Sequence, residues 1–215
     1  MNARALTGII IVNLIIIALV VSTLKTEHED RVIADPGSEG SYLMESVHVV
    51  IDDDLPYSGY MDDVEMALSC FSPKTVQSFN SNGWRVIISK ELDFSNSEYF
   101  CCPEAEKTKI IGFADHKDRV IRVKAGSGVN EHITDEMILC MCYFVDHVNG
   151  YLSDKDEYVG IINVNPDFIE KCNSCNLPSS TNHDYFAYAM REYLTNLESL
   201  RNIYPSVYAY YESHF

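Results

Sequence analysis

Positive charge is scarce in this chain: 16 Lys and Arg stand against 32 Asp and Glu, for a net charge of −16. Phosphate backbones are gripped by the opposite sign, so nucleic acid is excluded as a partner. The acidic excess serves solubility. No two histidines lie four residues apart anywhere in the 215 residues, which excludes the simplest helical zinc site. The C-N-S-C run from Cys172 to Cys175 has no second CxxC to complete a zinc knuckle and no thioredoxin-like strand before it, so a buried structural role is expected there.

One long apolar run is present. Residues 6–24 read LTGIIIVNLIIIALVVSTL, without charge and with Asn13 as the one strongly polar residue. At ~1.5 Å per residue they span about 28 Å, close to the hydrocarbon thickness of a bilayer. Arg4 precedes the run and Lys25, Glu27, Glu29 and Asp30 follow it, which favours residues 1–5 as a short cytoplasmic end and the rest of the chain outside. A buried core helix is another reading, disfavoured because the run has no polar face. A cleaved signal peptide, giving a secreted protein, is the rival reading, but its apolar region is usually shorter and the only candidate site, near Val20–Ser22, is poor. Residues 25–46 hold Glu, Asp, Gly, Ser and Pro with little apolar content and read as a polar linker. Residues 47–215 then have the size of one domain.

The seven cysteines are Cys70, Cys101, Cys102, Cys140, Cys142, Cys172 and Cys175. Outside the cytoplasm disulfides are allowed, and an odd number leaves at least one thiol free or paired between chains. The spacing does not choose a pairing.

Local patterns predict an α+β domain. Val47–Ile51 is a short strand, Tyr60–Cys70 a helix, and Ser72-Pro73 opens another that ends at Asn82-Gly83. Trp84–Leu92 reads as a strand. Lys109–Phe113 and Arg119–Val123 flank the polar Ala114–Asp118 and predict a β-hairpin. Thr134 is placed to cap a helix with Asp135 and Glu136 in its first turn, stopping at Asn149-Gly150. Ser153–Glu157 opens a charged helical stretch, Asn165-Pro166 a short helix, and Asp184–Leu200 a long one. Pro205 starts a tyrosine-rich end. The late tyrosines Tyr185, Tyr188, Tyr193, Tyr204, Tyr208, Tyr210 and Tyr211 read as core and interface packing.

The order of GFADHKDRVIRV (112–123), ITDEMIL (133–139), DYFAYAMREYL (184–194) and IYPSVY (203–208) resembles the catalytic domain of the anthrax lethal factor-like zinc peptidases, a family that includes the Pro-Pro endopeptidases. The resemblance covers roughly residues 80–215. It implies a zincin-like domain with a small mixed sheet and hairpin packed on helices. In that family the hairpin precedes a helix bearing H-E-x-x-H, whose histidines hold zinc while the Glu acts as general base. A later helix bears a third ligand in Glu-aromatic-Phe-Ala-Glu-Ala.

Aligned on Asp135-Glu136, the five H-E-x-x-H positions fall on Cys140, Met141, Cys142, Tyr143 and Phe144. Cys140 could bind zinc, Met141 cannot take a proton, and Phe144 can do neither. Asp184 stands at the later ligand and Tyr188 at the second Glu of that motif. The alignment therefore implies an erased centre whose vestigial positions Cys140, Phe144 and Asp184 converge, with no peptidase activity and no zinc cofactor. The expected role is recognition of a peptide or protein partner by a membrane-tethered domain. The alternatives are a relocated metal site built from Cys140, His147, His183 or Asp184, a Cys140 or Cys142 nucleophile with His147 or His183 as base, and a structural surface protein without ligand chemistry.

Overall fold

Four short strands and eight α-helices make up the part of the chain that the computed structural model describes, residues 47–55, 57–95, 107–108, 110–125, 133–174 and 181–215. All of them belong to one unit, residues 42–215. The apolar run 6–24, the linker 25–46, His132, Cys101, Cys102 and Cys175 lie outside the described residues. Among the described residues no helix is long and apolar enough to cross a membrane.

The sheet is built from β1 (His48–Ile51), β2 (Arg85–Ser89), β3 (Gly112–Asp115) and β4 (Val120–Lys124), in the order β1-β2-β4-β3. β1, β2 and β4 are parallel, and β3 joins the edge antiparallel to β4. A parallel pair needs a crossover, and α1 (Tyr57–Ser69) and α2 (Pro73–Ser81) supply it between β1 and β2. Side chains alternate along each strand, so Val86, Ile88, Ile121 and Val123 line one sheet face and are all 0% exposed. The helix α3 (Thr134–Val148) packs over β3 and β4 on that face with Met137, Ile138 and Met141 buried.

After α3 come a short 3-10 helix (Leu152–Asp154), α4 (Asp156–Asn163), α5 (Pro166–Ser174), α6 (Asn182–Thr195), α7 (Leu197–Ile203) and α8 (Pro205–His214). α6 packs along α3. The expected α+β class with a small mixed sheet is found. The late tyrosines fill the helical layer: Tyr158, Phe186, Tyr210 and Tyr211 meet edge-on or tilted, and the Tyr211 hydroxyl donates to Phe186 O at 2.8 Å.

Three local expectations are corrected. The hairpin arms lie one to three residues later than their alternation suggests, because Asp115 Oδ1 accepts from the Lys117 and Asp118 amides at 3.1 Å and turns the chain there. Thr134 does not cap α3. Asp63 of α1 accepts from Ile133 N and from the Thr134 hydroxyl, both at 3.0 Å, so a carboxylate 70 residues away serves the helix start. The long helix expected over 184–200 is two helices, broken at Asn196 (φ −142°), and begins at the Thr181 cap.

Candidate functional site

α3 presents two kinds of face. Met137, Cys140, Met141, Cys142, Phe144 and Val145 are almost wholly buried. Glu136, Leu139, Tyr143 and His147 are half-buried and follow one another at three, four and four residues, a single stripe along one side. Of this stripe Tyr143 reaches α6, while the buried Asp146, off the stripe, meets His183 at the start of α6.

Asp184 meets that stripe at Tyr143, not at Phe144. The Tyr143 hydroxyl donates to Asp184 Oδ1 at 2.5 Å. Asp184 Oδ2 accepts from Thr181 N at 2.8 Å and from the Thr181 hydroxyl at 3.0 Å, closing a capping box at the start of α6. Phe144 points into the core, edge-on to Phe79 and Trp84 with ring centroids 5.1 Å from each. Met141 is buried beside it in the core. Cys140 faces the sheet edge: a Cβ placed on Gly112 of β3 would lie 3.0 Å from its sulfur. The expected convergence of Cys140, Phe144 and Asp184 is therefore corrected. One turn before Tyr143 on the same stripe is Leu139.

Further along the stripe, burial raises the Glu136 carboxyl, and the Arg191 guanidinium partly offsets this. Arg191 lies 4.7 Å over the Tyr188 ring, with Lys171 Nζ 5.6 Å from the same ring. Burial pushes the Cys140 thiol well up and the Cys142 thiol up as well, and both are free thiols at 1% and 0% exposure. Neither has the exposed, low-pKa environment a nucleophile needs. Cys70 is a half-buried free thiol, and Cys172 is buried on α5.

Cys140, His147, His183 and Asp184 do not form one ligand set, and no group of three or more His, Cys, Asp or Glu suited to a metal occurs among the described residues. His183 Nδ1 lies 2.8 Å from Asp146 Oδ2 and 2.7 Å from Ser153 Oγ. Ser153 donates its hydroxyl to Asp146 at 2.6 Å and is 0% exposed. Serine and carboxylate thus share one side of the imidazole, unlike a relay in which the ring stands between them. His147 Nδ1 is 2.8 Å from the Tyr151 hydroxyl. His116, Tyr143, Tyr151 and Ser153 were not singled out as site residues from sequence. Tyr143 could have been, because it shares a helix face with Glu136 and His147 beside the apolar residues of α3.

The remaining feature of the site is the outer edge of β3. Lys124 N donates to Ile111 O at 2.7 Å, so the antiparallel alternation directs the main-chain groups of Phe113 and Asp115 to β4. Those of Gly112 and Ala114 face outward, and among the described residues no strand pairs with them.

A helix crosses a mixed sheet that has an antiparallel edge strand, and a second helix brings a carboxylate to the first. The chain is similar in fold to the solved structure of a Pro-Pro endopeptidase from Paenibacillus alvei, with a TM-score of 0.61 and 18% identity over 80% of this chain and 100% of that one. No family model and no curated protein matches the chain.

Proposed function

We propose that this chain is a peptidase-like domain without hydrolytic activity that binds an extended peptide or protein segment, held outside the cytoplasm by residues 6–24 with 25–46 as spacer. The observation that carries this reading is the Tyr143–Asp184 hydrogen bond. Ligands at i and i+4 and a carboxylate from the later helix must meet at one metal. The α3 residue that meets Asp184 is Tyr143, and Cys140 lies beside the edge strand while Phe144 is in the core. The pair is therefore assigned to Leu139 and Tyr143, with Cys140 at the base position, rather than to Tyr143 and His147. This register differs by one residue from the alignment on Asp135-Glu136, and it leaves the centre equally empty of chemistry. Leu139 offers no lone pair, a neutral phenol is a poor zinc ligand, and the buried Cys140 thiol is no general base.

Loss of hydrolysis leaves the edge of β3 intact as a binding element. The outward main-chain groups of Gly112 and Ala114 suit addition of one extended strand. The test is incubation of the full chain with zinc and Pro-rich peptides. No chelator-sensitive cleavage is expected, while peptides of the right sequence bind; cleavage that a chelator abolishes overturns the proposal.

A further inference from the structure

Three of the seven histidines come together from distant parts of the chain at the C-terminal end of α3. His116, in the β3–β4 turn, stacks on His147 with ring centroids 4.2 Å apart and planes 21° from parallel. Trp84 meets both rings edge-on at 5.5 and 6.1 Å. Tyr151 stands edge-on to His147 and His183, each at 5.2 Å, and is held at φ 56°, a backbone conformation that non-glycine residues rarely adopt. His116 Nδ1 is buried with no hydrogen-bond partner among the described residues.

We propose that His116 and His147 form a proton-sensitive clasp that holds the β3–β4 turn against the end of α3 while both rings are neutral and releases it in acid. Two imidazolium rings stacked at this distance repel one another, and the half-buried His116 would carry its charge with poor hydration. The surrounding charges do not compensate. On the turn itself, the Asp115 carboxylate accepts from the Lys117 and Asp118 amides, and Asp118 lies 3.9 Å from Arg122. Arg119 is close enough to disfavour a charge on His147. From α3, Asp146 favours that charge but is already engaged by Ser153 and His183. From the 3-10 helix after α3, Asp154 lies 3.8 Å from His183 Nε2. From α6, His183 disfavours a charge on His116. Burial, the largest cause for each ring, holds both below the ordinary histidine value, His116 at about 4. Acid therefore charges a pair that the fold keeps neutral.

The turn continues β3, so its release loosens the end of the proposed binding edge. That consequence rests on the edge-strand reading, whereas the clasp does not. The test is amide hydrogen exchange of the full chain without any partner, corrected for intrinsic exchange rates, compared between pH 7.5 and pH 5. Residues 112–119 are expected to lose roughly tenfold protection relative to β2, corresponding to about one pKa unit of linkage. His116→Phe and His147→Phe, which keep an aromatic ring without the charge, are expected to flatten that loss. Equal acid sensitivity in both variants, or a turn that opens only in step with β2, overturns the clasp. Should a variant not fold, NMR titration of the wild-type ring protons decides: His116 titrating at the ordinary histidine pH contradicts it.

Discussion

Tyr143 and Asp184 form the contact on which the account turns. An O–H donor on α3 and a carboxylate on α6 tie the two helices together directly, at the point where the proposed reading puts the lost metal. Both Asp184 oxygens are in use, one by Tyr143 and one by the Thr181 cap. Tyr143→Phe is expected to lower stability by about 1–2 kcal/mol in urea unfolding, since a bond to a charged acceptor is lost from a half-buried site. An unchanged midpoint would mean that the contact does not hold the helices. His116 supplies the pH dependence at this scale. Its folded value is depressed to about 4 from 6.5. Its contribution to stability is therefore full above about pH 6.5 and is lost as pH falls toward 4, where the unfolded chain binds the extra proton. The shift corresponds to at most ~3 kcal/mol, reduced to about 1–2 kcal/mol by the water that reaches a partly exposed ring. Urea unfolding at pH 7.5 and pH 5 measures it, and His116→Phe should lessen the difference.

At the scale of elements, the close approach of α3 to the edge strand depends on Gly112. A methyl there would lie 3.0 Å from the Cys140 sulfur and 3.2 Å from Arg122 O. Gly112→Ala is expected to destabilise by about 1–3 kcal/mol, with part of the loss recovered in combination with Cys140→Ala. Additive effects in that double-mutant cycle would show that the two sites do not touch. The register proposed for the ligand positions can be tested by substitution. Leu139→His, Cys140→Glu and Tyr143→His together restore a ligand pair opposite Asp184 and are expected to confer zinc binding, whereas histidines at 140 and 144 are not, because Phe144 is in the core.

Elements with local causes were legible in the sequence. Pro73 after Ser72, Asn149-Gly150 and the alternation of Arg119–Val123 each placed a boundary or strand to within a few residues. What failed depended on distant partners or on face. The cap of α3 comes from Asp63 on another helix. The acidic first turn of α3 marks where a helix begins but not which side looks outward, so the proposed ligand register rests on the Tyr143–Asp184 contact instead. The stripe Glu136–Leu139–Tyr143–His147 held that information.

For the whole molecule, the proposal joins a domain that resembles a peptidase in fold to a segment that suits a membrane. If residues 6–24 are an uncleaved anchor, N-terminal sequencing of the mature protein begins at or next to Met1, and the protein stays with the membrane fraction. A mature start beyond Ser22 would make it a secreted protein. Binding without hydrolysis is the function proposed for either case, and it depends on the metal centre being gone. The direct measurement is metal analysis of the full chain, purified without a histidine tag from zinc-containing medium. The account predicts zinc far below one per chain, unchanged by chelator. Stoichiometric zinc removed by a chelator, with peptide cleavage lost alongside it, would contradict the account.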